Sequence, residues 1–374
     1  MSLSPKLRSL IPQSLINLFW HLPQAILANI IYGFPGRKLI VIAITGTSGK
    51  TTTAHLIYHL LKQSGFKAEL ISTVSAPGLH VTNPDPFILQ KMLKKLVAKG
   101  CQYLVLEVTS HGLDQNRNWG IPFTYGVLTN ITHEHLDYHK SFANYQKAKL
   151  KLIRLAKIAV LNRSDPSFTL AKKVSRGRVL EFGGEFDKAN QAAASAVAQD
   201  LGISLKKINS ALKQFPGIPG RMEVVQTKPF KIVIDFAHKP DALEKALQFL
   251  RPKTRGQLIS VFGCAGLRDT QKRPMMGEIS SSLADITVLT SEDPRTEDVN
   301  EIINQIKSGI TSHHQVYSQP DRQQAIDLAV KLAQPGDTVA LFGKAHEKSM
   351  CFGKIEYPWS EYKAVKKALK LCKH

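Results

Sequence analysis

Ile44-Thr45-Gly46-Thr47-Ser48-Gly49-Lys50-Thr51-Thr52-Thr53 directly follows the apolar run 39–43, and residues of these types at this spacing bind phosphate. Amides freed in a glycine-rich turn point at an anion, and the dipole of the following helix favours negative charge there. Thr45, Gly46, Thr47, Ser48, Gly49 and Thr52 would line the cradle. Lys50 would reach the terminal phosphates, and the Thr51 hydroxyl would ligate Mg²⁺. Ile44 stands where the first glycine of G-x-x-x-x-G-K-S/T belongs, so this is a shorter form of the general phosphate loop.

Three further stretches carry groups that could work with it. Glu107 ends an apolar run and opens Val108-Thr109-Ser110-His111-Gly112-Leu113-Asp114-Gln115-Asn116-Arg117. A carboxylate at the carboxyl end of a strand in the same domain is well placed to hold Mg²⁺. His133, His135 and His139 crowd the run Thr129-Asn130-Ile131-Thr132-His133-Glu134-His135-Leu136-Asp137-Tyr138-His139, and such a turn is either a metal site or an ordinary polar loop. Lys147, Lys149 and Lys151 follow on a helical pattern, where a lysine is ordinarily a solvated charge.

The elements that must position these groups form two alternations. Strands are expected over 39–45, 68–73, 103–108, 126–130 and 158–162, with helices over 51–63, 86–98 and 144–156, which describes a parallel α/β sheet. Pro216-Gly217-Ile218-Pro219-Gly220 is the strongest punctuation in the chain. Beyond it, strands over 231–236, 258–263, 286–290, 315–318 and 338–342 alternate with helices over 242–250, 299–308 and 322–333, a doubly wound domain of the dinucleotide-fold type. The expected organisation is a short apolar and basic segment over 1–38, a phosphate-loop domain over 39–218 and a Rossmann-like domain over 219–374. A ligand cleft is expected between the two α/β domains.

The 374 residues suffice for these cores, and a 43% apolar content is that of a globular protein. Fifty Lys+Arg against 29 Asp+Glu leave a net charge of +21, which attracts anions. Much of it lies on helix faces (Lys91, Lys94, Lys95 and Lys99; Lys363, Lys366, Lys367 and Lys370), where solvated charge is the plainer reading. No nucleic-acid motif accompanies it. Four cysteines without C-x-x-C spacing exclude a zinc ribbon and fit a reducing cytoplasm. No charged residue occurs over 9–36, but Pro12, Pro23, Asn17, His21 and Asn29 make the segment a poor spanning helix and a poor signal peptide. Two short amphipathic helices, 14–22 and 23–32, are expected, either packed on the domain behind them or lying on a membrane surface.

The shorter loop T-G-T-x-G-K-T-T resembles the ATP loop of the Mur ligase family. Glu107–Arg117 resembles the E-V-S-S-H-G-L-x-Q-x-R signature of its MurE-type branch, and 129–139 resembles T-N-x-x-x-D-H-L-D-Y-H, with Glu134 in place of Asp. The resemblance implies that His135 holds a second Mg²⁺. It also implies that Lys149, the lysine of Y-x-x-A-K, is carbamylated, which turns a cation into an anionic oxygen ligand beside ATP. Asn190, in a run resembling G-x-F-N-x-x-N, would contact adenine. Arg221, in a G-R-M-E run, and Asp235 and His238, in a run resembling D-Y-A-H-x-P-D, would contact the nucleotide. Thr82, Asn83, Ser110, His111, Gln115 and Arg117 would hold the muropeptide. Arg268, Asp293, Arg295, Gly343 and Glu347, on runs resembling G-C-G-G-x-R-D, D-N-P-R and G-K-G-H-E, would grip the incoming amino acid. Two arginines can clamp a carboxylate and Glu347 an ammonium group, which favours meso-diaminopimelate over another diamino acid. Asp293 replaces the usual Asn and adds repulsion for that carboxylate.

The motifs run in family order over about nine tenths of the chain. They imply a cytoplasmic, ADP-forming amide ligase of peptidoglycan synthesis that uses ATP and two Mg²⁺ and forms an acyl phosphate on a muramoyl-dipeptide. Three departures stand out. Residues 1–38 are too short for the family's uridine-binding domain, the region after 180–184 is abbreviated, and T-T-P reads Thr82-Asn83-Pro84. Weakened uridine recognition is therefore expected, with a lipid-linked or nucleotide-free acceptor and peripheral membrane contact through the amino-terminal segment. A folylpolyglutamate or pseudomurein-peptide ligase would share the loop and the lysine but not the S-H-G-L-x-Q-x-R and D-P-R runs. A non-catalytic relative would show drift at Lys50, Glu107, His135 or Lys149.

Overall fold

Apolar runs too short for helices become the central strands of two sheets, buried on both faces. The computed structural model describes residues 12–74, 83–132, 134–184, 186–310 and 313–372, and the chain divides into two compact units, Met1–Pro216 and Gly217–His374.

In the first unit six strands, β1 (Ile40–Thr45), β2 (Ala68–Ile71), β3 (Tyr103–Glu107), β4 (Phe123–Leu128), β5 (Ile158–Asn162) and β6 (Arg178–Phe182), lie in the order β2-β3-β1-β4-β5-β6. Every pairing is parallel. Val41, Ile42, Ala43 and Ile44 of central β1 are fully buried, and each large apolar side chain so buried contributes about 1.5–3 kcal/mol. Among the described residues the unit's helices include α1 (Gln13–Tyr32), α2 (Lys50–Gln63), α3 (Pro86–Ala98), α4 (Ser110–Asp114), α5 (Phe142–Leu155), α6 (Phe168–Val174), α7 (Phe186–Asp200) and α8 (Leu205–Lys213). Leu56, Ile57, Leu60 and Leu61 of α2 share a core cluster with Ala193, Ala194 and Val197 of α7. Small alanines let α7 approach α2 closely, which brings Asn190 to the phosphate loop.

The second unit carries β7 (Glu223–Gln226), β8 (Lys231–Asp235), β9 (Leu258–Phe262), β10 (Ile286–Leu289), β11 (Gln315–Ser318) and β12 (Thr338–Phe342) in the order β11-β10-β9-β12-β8-β7. All pairs are parallel except β7 against β8. Helices α9 (Pro240–Leu250), α10 (Lys272–Leu283), α11 (Val299–Lys307), α12 (Arg322–Leu332) and α13 (Glu361–Leu371) belong to it, as does a hairpin of β13 (Ser349–Phe352) and β14 (Ile355–Pro358). The α/β architecture expected from the sequence, a parallel phosphate-loop sheet followed by a Rossmann-like unit, is what the fold shows. All four cysteines are unpaired.

The amino-terminal segment differs from expectation. A break was expected at Pro23, yet the helix runs from Gln13 to Tyr32 without one. Proline clashes with the carbonyl four residues back, and here the turn Asn17–His21 widens to a π-helix, with the Leu22 amide donating to the Asn17 carbonyl. One extra residue in a turn relieves that clash. The joined helix is also long and apolar enough, by length and composition, to cross a membrane, contrary to the reading of its amides and prolines as disqualifying. It packs along α3. Asn17 donates to Asp114 (2.7 Å), and Asn29 donates to the Trp119 carbonyl (2.7 Å). Gly33, at φ +72°, ends it.

Candidate functional site

The phosphate loop is built by β1 delivering Thr45 to the sheet edge and α2 starting at Lys50. Gly46 has φ +153°, and a Cβ there would fall 1.8 Å from the Thr129 hydroxyl; one on Gly49 (φ +81°) would fall 2.4 Å from Asn190 Oδ1. Both glycines are thus required by close approach as well as by conformation. The loop is clasped by the strand beside it. Ser48 N–H donates to Asn130 Oδ1 (2.9 Å), Asn130 Nδ2 returns a bond to the Ser48 carbonyl (3.0 Å), and Thr129 donates to the same carbonyl (2.7 Å). Thr47 Oγ1 lies 2.9 Å from the Tyr145 hydroxyl. Lys50 Nζ donates to the Thr47 carbonyl at 2.9 Å, and Thr52 lies on the first turn of α2. Asn190 accepts from Thr53 at 3.1 Å, which sets it directly against the loop. The roles of Asn130 and Tyr145 were missed from the sequence, although both sit inside the quoted motif runs.

Glu107, at the end of β3, is 1% exposed. Thr51 Oγ1 is 3.1 Å from both carboxylate oxygens, and Thr73 donates through its amide and hydroxyl, each at 3.1 Å. A buried carboxylate and a hydroxyl on the first turn of α2 are hard oxygen donors beside a phosphate cradle, which fits Mg²⁺, an ion usually held by one or two carboxylates plus substrate phosphates.

Lys149 on α5 is 2% exposed. Its Nζ donates to the Gly46 carbonyl (2.6 Å) and stands 4.6 Å from the centre of the Tyr145 ring. Burial, reinforced by the charge of Lys50, holds its ammonium well below the ordinary lysine value. His135, at φ +53°, is 3.0 Å from Glu134 and packs 6.2 Å from Tyr145 and 4.8 Å from His111, ring to ring. His139 also packs on His111, at 5.4 Å. The expected group of loop, Glu107, Lys149 and the histidine turn therefore lies around one sheet edge. Among the described residues no three His, Cys, Asp or Glu side chains form a ready metal cluster.

The residues expected to hold the muropeptide fall into a second group. Asn83 is 2% exposed and pinned: its Oδ1 accepts from the Thr109 amide (2.6 Å) and hydroxyl (2.8 Å), and its Nδ2 donates to the Glu107 carbonyl (3.0 Å). Its amide holds the loop in shape. Arg117 donates to the Asn83 carbonyl and to Gln115, which in turn donates to Tyr138. Among the described residues the buried Ser110 hydroxyl has no partner. Thr82 and His133 lie outside the described residues.

In the second unit Asp293 accepts from Lys344 Nζ (2.8 Å) and from the Cys351 amide (2.9 Å), and Lys344 also pairs with Glu347 (2.6 Å). Burial opposes the charge on Lys344, but Glu347 and Asp293 outweigh it and hold the ammonium above the ordinary value. The repulsion expected from Asp293 thus meets a cation that the sequence reading assigned no part. Arg295, at φ +53°, donates to the Gly266 carbonyl (2.6 Å), and the Gly266 amide donates to the Asp293 carbonyl (2.8 Å), so the loop carrying exposed Arg268 is stapled to the Asp293–Arg295 loop. A Cβ on Gly343 (φ +101°) would fall 3.3 Å from the Glu292 carboxyl. Glu292 is 6% exposed, its Oε2 has no partner among the described residues, and burial pushes its carboxyl up. Elsewhere in this unit, the Arg221 guanidinium stacks on Phe236 (4.6 Å), Asp235 accepts the amides of Met222 and Ala237, and His238 Nδ1 is 2.8 Å from the Phe236 carbonyl.

A phosphate loop at the carboxyl edge of a parallel sheet, followed along the chain by a separate doubly wound unit, defines a two-unit α/β protein with a candidate phosphate site in its first unit. The Mur ligase middle domain matches residues 44–261, and the Mur ligase glutamate ligase domain matches residues 220–345. The chain belongs to the Mur ligase family and is a ligase, as the sequence led us to expect. It is 37% identical over 394 residues to a UDP-N-acetylmuramoyl-L-alanyl-D-glutamate–2,6-diaminopimelate ligase from Thermosynechococcus vestitus, covering 92% of this chain and 79% of that one. A solved structure of a ligase of the same name is 30% identical, covering 90% and 79% of the two chains, with a TM-score of 0.61. The Mycobacterium tuberculosis folylpolyglutamate synthase, 17% identical with a TM-score of 0.71 over 86% and 92%, shares the fold.

Proposed function

We propose that this chain is a cytoplasmic, ATP-dependent, ADP-forming ligase that joins meso-diaminopimelate to the D-Glu of a muramoyl-L-Ala-D-Glu peptide. The observation that carries this is the convergence of the phosphate loop, Glu107 and buried Lys149 at one sheet edge, in a chain whose 37%-identical relative bears that activity in its name. In the proposed reaction the D-Glu side-chain carboxylate attacks the γ-phosphorus of ATP, and ADP leaves with the bridging oxygen. The amine nitrogen then attacks the acyl phosphate carbon and loses a proton, and inorganic phosphate departs with the electron pair of the broken C–O bond. Lys50 offsets charge on the phosphoryl oxygens. Thr51 and Glu107 would hold one Mg²⁺, and His135 with a carbamylated Lys149 a second; the ions would neutralise the phosphates. The acceptor is proposed to be lipid-linked or otherwise free of UDP, with peripheral membrane contact through α1.

ADP release, with product masses, is measured across muramoyl-dipeptides with and without UDP and across lysine and diaminopimelate. Release is expected only when a muramoyl-dipeptide and diaminopimelate are both present, and at similar rates with or without UDP. Sharp dependence on UDP would overturn the acceptor, and turnover restricted to folate-type acceptors would overturn the class.

The pairing of Lys344 with Asp293 also makes a prediction about the amino acid. Lys344→Met leaves Asp293, Glu347 and Glu292 as an acidic wall. Truncating one side of a buried charge pair costs about 2–5 kcal/mol, so the KM for diaminopimelate should rise at least ~10-fold while that for lysine rises less. An equal rise for both would remove Lys344 from specificity.

A further inference from the structure

One face of α1 is covered and the other is not. Ile16, Asn17, Ala25, Ala28 and Asn29 face the body of the first unit, whereas Leu15, Leu18, Phe19, Trp20, Leu27, Ile30 and Ile31 are exposed, Phe19 by 72% and Ile30 by 61%. Leu15, Phe19, Pro23, Leu27 and Ile31 follow one another at four-residue steps, a spacing that keeps them on one side of a helix. Four-residue steps drift around a regular α-helix, and the wider π turn at Asn17–His21 counters that drift midway. Isolated exposed apolar residues are ordinary, but a continuous stripe on one helix marks an interaction surface.

Charge identifies the partner. No acidic residue occurs over 1–68. Arg37 and Lys38 are exposed just beyond the end of α1, and α3, which packs alongside it, turns Lys91, Lys94, Lys95 and Lys99 to solvent without one acidic residue of its own. Apolar side chains flanked by exposed cations that outnumber the one exposed acid nearby, Asp85 at the start of α3, match the boundary between acyl chains and anionic headgroups. A second copy seated on the stripe would bring like charges together. The bonds from Asn17 to Asp114 and from Asn29 to Trp119 hold the buried face against the body, an attachment that suits a helix lying on a bilayer and not one crossing it.

We propose that the exposed stripe of α1, with the lysines of α3, docks this protein in plane on a membrane of anionic lipid. This deepens the membrane contact of the functional reading above, yet it is tested without turnover, so either can fail alone. The full-length chain is sedimented with vesicles of phosphatidylcholine alone and of phosphatidylcholine mixed with phosphatidylglycerol. It should bind the mixed vesicles, bind the neutral ones at least ~10-fold more weakly, and be released by high salt. Phe19→Ser/Ile30→Ser/Ile31→Ser should abolish binding while leaving thermal unfolding and nucleotide binding unchanged, since these side chains touch solvent. Lys91→Gln/Lys94→Gln/Lys95→Gln/Lys99→Gln should weaken binding to the mixed vesicles by roughly 600-fold, at about fivefold per charge. A chain that stays in the supernatant, that binds equally well with both sets of substitutions, or whose stripe instead drives self-association in a sedimentation-velocity run would overturn the proposal.

Discussion

Lys149→Ala should lower the ligation rate by at least ~10²–10³-fold, the range for removing one electrostatic group trained on a developing charge, and high bicarbonate should not restore it. The reasoning starts from burial. For a lysine 2% exposed that donates to the Gly46 carbonyl, desolvation and then the charge of Lys50 push the ammonium well below its ordinary pKa and so favour the amine form, whose electron pair is available. That amine can add to the carbon of CO₂, forming an N–C bond and releasing one proton to water, and the product is an anion in the position the resemblance implies. The alternative is that Lys149 acts as a cation beside the phosphate loop. Lys149→Arg separates the two, because arginine keeps the charge and cannot form the carbamate. If the carbamate operates, Arg and Ala are equally inactive, and ¹³C-bicarbonate gives the wild type a carbonyl resonance that both variants lack. Substantial activity in Lys149→Arg would reverse the assignment.

How much of this was legible depended on whether the information was local. The phosphate loop could be read outright, since its glycines, its lysine and its threonines are consecutive and each has a chemical reason. Central strands were also legible, because burial on both faces demands unbroken apolar runs such as 40–44 and 258–262. The edge strands were not: β6 (Arg178–Phe182) is half exposed and β7 (Glu223–Gln226) carries Glu and Gln, so neither looks apolar. Pro23 read as a helix break because nothing in the sequence announces a compensating π turn. Asp293 read as a liability for a dicarboxylate because Lys344, fifty-one positions away in the chain, is brought to it only by the fold. Nor did the sequence show that the Asn83 amide bonds Thr109 and Glu107, partners 26 and 24 positions away.

Arg322→Met should destabilise the second unit by about 3–5 kcal/mol, because removing one partner of a buried ion pair leaves the other charge uncompensated. Against a typical total of about 5–15 kcal/mol, the denaturation midpoint should fall visibly. Arg322 and Glu361 are 1% and 0% exposed. The guanidinium meets the carboxylate through two nitrogens, while Trp359 Nε1 donates to the same carboxylate at 2.7 Å. The remaining bonds link this pair to the site. Arg322 Nη1 donates to the Ser291 carbonyl (3.1 Å) and Nη2 to the Phe342 carbonyl (2.8 Å). Ser291 immediately precedes Glu292 and Asp293, and Phe342 immediately precedes Gly343 and Lys344, so one guanidinium ties together both segments proposed to hold the amino acid. Stability and positioning can therefore be separated. Arg322→Met/Glu361→Leu removes both charges and should recover most of the lost stability, as buried pairs replaced by apolar groups often do. It should still show a raised KM for diaminopimelate, because the two carbonyls lose their shared donor. A double variant with native stability and an unchanged KM would make the pair structural alone. A single variant that unfolds within about 1 kcal/mol of the wild type, the scale of an exposed pair, would refute the buried-charge argument itself.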